Sequence, residues 1–248
     1  MNVGAAAIAF LPGLAVGSFL NVVAARIPLH RSIVSPGSAC MSCGTELSWL
    51  DNVPLVSFAL LRGRCRHCGV AIPWRYPLVE AVTALLIVGC VLDFGVTWKA
   101  GVASFFCAAL VALSATDIER FVIPNRIVLP AAVVVLVAQT LLHPSIEWAA
   151  GALGASLFLL AAALAYPAGM GMGDVKLALL LGAMTGRTVP VALMAGMIAA
   201  LVPSAVLFAR HGSAARKMRI PFGPFLALGG VVALFAGNIL LHAYLGLL

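Results

Sequence analysis

The sequence predicts an all-α polytopic membrane protein with about eight transmembrane helices. Of its 248 residues, 63% are hydrophobic and only 9% are charged. Soluble domains carry roughly a quarter charged residues, so the composition excludes an ordinary soluble protein. Apolar runs recur along the whole chain, and several approach the ~20 residues that an α-helix needs to cross a bilayer. The lipid bilayer is therefore the first partner that the composition implies.

Eight hydrophobic segments define the predicted helices. They cover approximately residues 3–25, 77–97, 100–116, 127–142, 148–166, 175–186, 188–209 and 222–247. The fourth and sixth segments are short, which favours helices that are tilted, partly re-entrant or buried by their neighbours. The first segment is interpreted as a permanent helix rather than a signal peptide. No Lys or Arg precedes Arg26, and no small-residue cleavage site stands out.

The one sizeable polar region of the sequence lies between the first two hydrophobic segments and is rich in Pro, Gly, Cys and Arg. The chain is therefore predicted to have three parts. These are a first transmembrane helix at 1–25, a cytoplasmic module at 26–76 and a transmembrane core at 77–248.

The distribution of charge predicts the orientation of the chain in the membrane. The sequence has 15 Lys and Arg residues and a formal net charge of +7. If the N-terminus is outside and the helices alternate, only Lys99 and Arg187 fall outside. The other basic residues, Arg216 and Lys217 among them, fall on the cytoplasmic side, as the positive-inside rule requires. No basic stripe interleaved with aromatic residues accompanies this charge, so we expect no nucleic-acid partner.

Four cysteines in the module form two CxxC pairs, Cys40 with Cys43 and Cys65 with Cys68, which 21 residues separate. Each pair can place two thiolates on one tetrahedral metal ion. Two pairs complete a structural zinc site that has no open position for catalysis. A pair of disulfides is the alternative. The predicted topology puts the module in the reducing cytoplasm, where disulfides are rare, and this favours zinc.

Two aspartates lie at the ends of predicted membrane helices. Asp117 closes an apolar stretch, and Asp174 follows Gly171 and Gly173 in the run 169–176 (GMGMGDVK). An ionisable group at the centre of a membrane helix costs at least ~2.5–3.5 kcal/mol, so it usually marks a functional site. Two such carboxylates on one membrane face can share a proton and activate a water molecule, which favours a membrane-embedded aspartyl protease. The alternative for Asp117 is an acid at a helix end that is solvated at the membrane interface. The alternative for Asp174 is an acid that is favoured at a helix N-terminus by the helix dipole.

The chain also resembles the type IV prepilin peptidase family almost from end to end. In chain order, the similar motifs are 17–21 (GSFLN), 26–28 (RIP), the two CxxC pairs, 47–55 (LSWLDNVPL), 61–65 (LRGRC), 75–80 (RYPLVE), the two aspartate motifs and 221–227 (PFGPFLA). Any one of these strings is unspecific. Their joint order is specific to the family.

The resemblance implies that the chain cleaves the leader of a type IV prepilin or type II secretion pseudopilin after its terminal glycine. Cleavage would occur at the cytoplasmic face of a bacterial inner membrane, with the N-terminus of the enzyme in the periplasm. The resemblance further implies methylation of the new amino terminus with S-adenosylmethionine. Asp117 and Asp174 would be the catalytic pair, and Gly171 and Gly173 would belong to the GxGD element.

One position departs from the pattern of the family. Many members carry an acid after the proline that follows the first aspartate, whereas Pro124 is followed here by Asn125. No catalytic role is expected at Asn125. The residues that bind S-adenosylmethionine are not predicted from the sequence, nor is an oligomeric state.

Other functions fit parts of the same pattern. The chain could be a peptidase without methyltransferase activity, although the retained cysteine module favours a bifunctional enzyme. A proton-coupled transporter would need acids near the bilayer midplane and repeated half-helices, neither of which is evident. A membrane scaffold would give the aspartate pair no role. An intramembrane protease of the presenilin type shares the GxGD element but not the cysteine module.

Overall fold

The computed structural model describes residues 3–166, 169–212 and 218–246, so Arg216 and Lys217 lie outside the described part of the chain. Within these ranges the regular structure is helical. The β-structure of the described residues is limited to two isolated bridges, which flank the two CxxC pairs. The predicted all-α class is confirmed.

The long helices coincide with the eight predicted hydrophobic segments. The described α-helices are α1 (Val3–Arg26), α2 (Val56–Leu60), α3 (Arg75–Phe94), α4 (Trp98–Arg120), α5 (Asn125–Leu142), α6 (Glu147–Ala165), α7 (Met172–Thr185), α8 (Val189–His211) and α9 (Gly223–Leu245). Seven stretches of the described residues are long and apolar enough to cross a membrane. One of them, Met172–His211, contains both α7 and α8. The protein is therefore a multi-pass membrane protein.

Helix α7 is short and is covered by its neighbours. Its 14 residues extend ~21 Å at 1.5 Å per residue, which is less than the ~30 Å hydrocarbon core. Leu177, Ala178, Leu180 and Leu181 point in different directions around the helix, and all four are fully buried. The helix packs against α5, α6 and α9. Of the three arrangements that a short sixth segment leaves open, burial by neighbouring helices is the one that α7 shows.

The chain divides into two compact units, Met1–Ala115 and Thr116–Leu248. In the second unit, Gly223 of α9 contacts Asp117 of α4, Gly173 of α7 contacts Ile123, and Lys176 of α7 bonds to Asn125 of α5. The last turn of α4 and the first turns of α5, α7 and α9 therefore lie at one end of that unit. Helices α6 and α7 approach so closely that a Cβ atom on Gly182 would collide with the backbone carbonyl of Gly151. The absence of a side chain at Gly182 allows this contact.

In the first unit, α1 lies against α3. A Cβ atom on Gly17 would stand 2.6 Å from the Cα atom of Glu80, so the two helices touch backbone to backbone at this point. One turn further along, the Asn21 side-chain amide donates a hydrogen bond to the Tyr76 carbonyl at 3.1 Å. Small residues and interhelical amide bonds are the usual means by which helices associate in membranes.

Candidate active site and metal centre

Asp117 lies in the last turn of α4 and is held by the first residue of α9. Asp117 is only 6% exposed. The backbone N–H of Gly223 donates a hydrogen bond of 2.9 Å to Oδ2 of Asp117. A Cβ atom on Gly223 would stand 2.8 Å from the same oxygen, so only glycine lets the chain approach the carboxylate this closely. The amide therefore fixes the orientation of the acid.

Asp174 is the third residue of α7 and bonds to the residue that precedes the helix. Gly171 donates its N–H to Oδ2 of Asp174 at 3.3 Å, and its carbonyl accepts the N–H of Asp174 at 3.1 Å. An acid in the first turn satisfies amides that have no partner within the helix and complements the helix dipole. Asp174 is 8% exposed, so this capping acid is also removed from bulk solvent.

Gly173 brings the GxGD segment against the connection between α4 and α5. A Cβ atom on Gly173 would stand 3.0 Å from the Cβ atom of Ile123. Ile123, in the loop after α4, therefore packs against Gly173, the residue that precedes Asp174. The segments that carry the two carboxylates are thus in direct contact. Catalysis by this pair is still a prediction.

A second contact joins the same two segments. The Lys176 ammonium group donates a hydrogen bond of 2.8 Å to Oδ1 of Asn125, which links the first turn of α7 to the first turn of α5. The sequence predicts no catalytic role for Asn125, and this contact gives it a structural one. The charged end of Lys176 is therefore bound within the second unit.

The role of Gly223 is not evident in the sequence pattern. The motif 221–227 (PFGPFLA) marks the start of a helix, because Gly223 is followed by Pro224 at the position where proline is favoured. Nothing in the motif indicates that the Gly223 amide binds an acid that lies 106 residues earlier in the chain.

The four cysteines of the module form one cluster. The Sγ atoms of Cys40, Cys43, Cys65 and Cys68 all lie within 4.8 Å of one another. Sulfur atoms bound 2.3 Å from a tetrahedral zinc ion would be about 3.8 Å apart, and the Cys40 and Cys68 sulfurs are 3.7 Å apart. All four cysteines are free thiols. The cluster can therefore hold one metal ion, as the CxxC spacing predicts.

Two matching turns present these sulfurs. In each turn the residue after the second cysteine donates its N–H to the carbonyl of the first cysteine, at 2.9 Å for Gly44 and 2.9 Å for Gly69. Both glycines have positive φ, +72° and +70°, where a side chain would be strained. The sequence thus specifies the turns by glycine as well as by cysteine.

The thiols of the cluster differ in acidity. The hydrogen bonds of the Cys43 sulfur with the Thr45 side chain and backbone lower the pKa of Cys43 to about 6. The pKa of Cys68 is raised to about 11. The Val70 amide favours the Cys68 thiolate, but loss of hydration and the other thiols outweigh that effect. Because the thiolate is the metal ligand, a metal ion must displace the proton from Cys68.

Polar side chains anchor the module internally and to α3. Arg66 donates two hydrogen bonds to Oδ1 of Asp51, at 2.9 and 2.7 Å. This ion pair ties the motif 47–55 to the second CxxC turn. Glu80 of α3 accepts a hydrogen bond of 2.9 Å from the backbone N–H of Leu55. Glu80 therefore has a structural partner, which the sequence does not reveal.

The fold and these clusters define a polytopic helical membrane protein that combines buried helix-end acids with a four-cysteine module. Residues 11–94 match a family model described as the bacterial peptidase A24 N-terminal domain. Residues 104–208, which include both aspartates, match the type IV leader peptidase family.

Full-length relatives lead to the same family. A Bacillus subtilis protein named prepilin leader peptidase/N-methyltransferase is 35% identical over 246 residues, which cover 96% of this chain and 97% of the relative. A Pseudomonas aeruginosa protein of the same name is 36% identical over 267 residues, covering 95% and 91%. This chain belongs to the type IV leader peptidase family, which confirms the resemblance seen in its motifs. No solved structure matches the chain.

Proposed function

We propose that this chain cleaves the leader peptide of type IV prepilins or type II secretion pseudopilins after the terminal glycine, and then methylates the new amino terminus. The names of its full-length relatives support both activities. The observation that carries the peptidase assignment is the pair of buried acids, Asp117 and Asp174, at one end of the second unit. Each is oriented by a backbone amide of a glycine at the start of a helix.

The chemistry requires one acid to be ionised and the other to be protonated. Two neighbouring carboxylates in a low-dielectric setting favour this state, because both cannot readily carry charge together. A water molecule between them loses a proton to the ionised acid and attacks the scissile carbonyl, whose oxygen takes a proton from the other. No covalent intermediate forms on the enzyme. The amides of Gly223 and Gly171 keep the two carboxylates in place while the proton moves.

The methyl donor would be S-adenosylmethionine, whose sulfonium group supplies the methyl group to the amine. One candidate site for this cofactor is a groove of the module, whose lining includes Phe58, Arg62, Arg64 and Trp74. Its two guanidinium groups could pair with the carboxylate of the cofactor, but the described residues of the lining include no acid for the sulfonium and ammonium groups. The lining therefore does not fit the whole cofactor.

The four-cysteine cluster is proposed to hold a structural zinc ion. Its sulfur spacing is that of a tetrahedral thiolate site, and all four ligand positions would be filled by the protein. The ion would then hold the two CxxC turns together without taking part in proteolysis. This role agrees with the proposed division into a first helix at 1–25, a module at 26–76 and a core at 77–248.

The proposed location is a bacterial inner membrane, with the N-terminus in the periplasm and with the module and both aspartates on the cytoplasmic side. The distribution of Lys and Arg supports this orientation. The contact between Gly173 and Ile123 brings the start of α7 close to the end of α4, which supports a common face for the two acids.

The test is cleavage of a prepilin by the detergent-purified, full-length chain. The substrate has a basic leader that ends in glycine before an apolar helix, and mass spectrometry identifies the new N-terminus. Wild type is expected to cleave after the glycine, whereas Asp117→Asn and Asp174→Asn are expected to be inactive. Asp93→Asn is the matched control, because Asp93 is exposed on α3.

Methylation is read in the same experiment from the added methyl mass when S-adenosylmethionine is present. Both Asn variants should still methylate a pre-cleaved pilin peptide. Cleavage by folded Asn variants at the wild-type rate would refute the proposed pair. Cleavage without any methyl mass would leave a peptidase that lacks the second activity.

A further inference from the structure

A groove in the first unit lies outside both the acidic pair and the four-cysteine cluster. It has a volume of about 690 Å³, and its lining includes Phe58, Arg62, Arg64, Ile72, Trp74 and Pro77. Small-molecule sites in proteins have volumes of ~300–1,000 Å³, so the groove has room for a lipid headgroup.

The walls of the groove are apolar and aromatic. The rings of Phe58 and Trp74 pack with their centroids 4.9 Å apart and tilted by 60°. Trp74 is nevertheless 77% exposed, and Leu60, on the neighbouring helix α2, is 79% exposed. Apolar surface of this extent in a polar module requires a partner or an apolar environment.

The charge of the groove comes from Arg62 and Arg64. Both side chains are exposed, and no other described residue forms an ion pair or a side-chain hydrogen bond with either of them. No acid among the described residues lines the groove, and Asp51 of the module and Glu80 of α3 already have other partners, Arg66 and the N–H of Leu55. The groove therefore carries two positive charges that the described part of the chain does not neutralise.

The backbone between the two arginines forms a tight turn with positive φ angles. Arg62 has a φ of +52° and Gly63 has a φ of +66°. A non-glycine residue in this region is strained and persists only where its surroundings enforce it. Here the N–H of Gly63 donates to the Phe58 carbonyl at 2.8 Å, and the N–H of Arg64 donates to the Leu61 carbonyl at 3.0 Å. The tight turn fixes both arginines at the groove.

The groove lies beside the first turn of a helix that can cross a membrane. Trp74 immediately precedes α3, and Pro77 lies in the first turn of this helix, which is long and apolar enough to cross a membrane. Tryptophan and arginine are favoured at the interface, where apolar stems reach the acyl chains and polar ends reach the headgroups.

We infer that this groove binds one anionic phospholipid. Arg62 and Arg64 pair with the phosphate, because guanidinium groups match phosphate oxygens in geometry and charge. Phe58, Ile72 and Trp74 contact the first methylene groups of the acyl chains. The inference is independent of the proposed catalytic activities, because lipid binding is measured without a substrate.

The test is native mass spectrometry of the full-length protein in detergent, titrated with phosphatidylglycerol or with phosphatidylcholine. Wild type is expected to bind one phosphatidylglycerol and to bind phosphatidylcholine more weakly. A basic residue near an anionic lipid contributes about a fivefold change in affinity, so Arg62→Gln/Arg64→Gln should bind about 25-fold more weakly. Arg31→Gln is the control, since Arg31 is exposed in the same module but does not line the groove.

A second readout places the lipid beside the aromatic wall. Trp74 is made the sole tryptophan by changing the other three, Trp49, Trp98 and Trp148, to Phe. Brominated phosphatidylglycerol should quench Trp74 fluorescence, and the double Gln substitution should abolish that quenching. The double variant is compared only if it binds as much zinc and unfolds at the same temperature as wild type. If it does not, each single Gln variant is measured by the same quenching experiment instead.

Three results would overturn the inference. The first is equal binding of phosphatidylglycerol and phosphatidylcholine. The second is unchanged lipid binding and quenching in the Gln variants. The third is displacement of the lipid by inorganic phosphate, or by an acidic peptide, at concentrations equal to that of the lipid, which would identify a simple anion or peptide site.

Discussion

Adding one methyl group at Gly223 should impair proteolysis without unfolding the protein. In Gly223→Ala, the new Cβ atom would stand 2.8 Å from Oδ2 of Asp117, closer than carbon and oxygen atoms can approach. The carboxylate must move away, and it then loses the 2.9 Å hydrogen bond from the residue 223 amide. Position 223 is at the start of α9, where alanine is a good helix former.

The size of the effect follows from the bond that is lost. A hydrogen bond to a charged group contributes about 1.5–3 kcal/mol. If the displaced carboxylate has to return to its wild-type orientation for the proton to move, the whole amount appears in the barrier. At about 1.36 kcal/mol per tenfold change in rate, kcat should fall about 10- to 160-fold. KM should stay nearly constant, because the bond does not involve the substrate.

The assay is the initial rate of leader cleavage at several prepilin concentrations, which separates kcat from KM. Gly101→Ala is the control, because Gly101 lies on the same helix as Asp117 and a Cβ atom there would meet nothing within 4 Å. A wild-type kcat for Gly223→Ala would refute the idea that the amide orients the acid. An equal loss in Gly101→Ala would refute it as well.

Three further perturbations follow from other contacts. Lys176→Met should lower kcat about two- to tenfold because α7 loses its hydrogen bond to α5, whereas Asn125→Asp should keep the wild-type rate because a carboxylate accepts the same bond. Cys40→Ser should reduce the zinc content of the purified, reduced protein from one ion per chain to nearly none, as measured by elemental mass spectrometry. Gly182→Ala should destabilise the fold by about 1–3 kcal/mol through overpacking, seen as a lower midpoint of thermal unfolding. Gly154→Ala, where a Cβ atom meets open space, should leave that midpoint unchanged.

Each of these perturbations has a contrary outcome. Equal losses of activity for Lys176→Met and Asn125→Asp would show that the hydrogen bond between α5 and α7 is not what matters. Zinc retained after Cys40→Ser would exclude the four-thiolate site. Equal unfolding midpoints for the two glycine variants would contradict the backbone contact between α6 and α7.

Hydropathy predicts the helices well because it is a local property. Each long apolar segment became a helix, and the two CxxC pairs came together because their spacing and glycines encode two identical turns. The sequence predicts a short helix at 175–186, and α7, with 14 residues, is too short to cross a bilayer by itself. Although the sequence has eight hydrophobic segments, only seven stretches of the described residues qualify as membrane spans by length and composition, because α7 and α8 form one continuous stretch.

The contacts that hold the acids could not be predicted in the same way. Four helices separate Asp117 from Gly223 in the sequence, and their packing brings the Gly223 amide to the carboxylate. No local sequence pattern predicts a contact between residues so far apart in the chain. The same is true of Lys176 and Asn125, which are 51 residues apart. Charge and hydropathy indicated that both segments share a membrane face. They did not indicate which backbone groups meet there.

Backbone support of the two acids determines which mutational screens can detect the site. Alanine scanning deletes side chains, so it would detect Asp117 and Asp174 but nothing that orients them. Gly171 and Gly223 have no side chain to delete, and a scan that skips glycine would make the acids look self-sufficient. Saturation mutagenesis adds atoms instead, and it should show that position 223, where a Cβ atom would stand 2.8 Å from Asp117, tolerates no side chain, whereas position 171 has room for a Cβ atom. For this site, the informative substitutions are the ones that make residues larger.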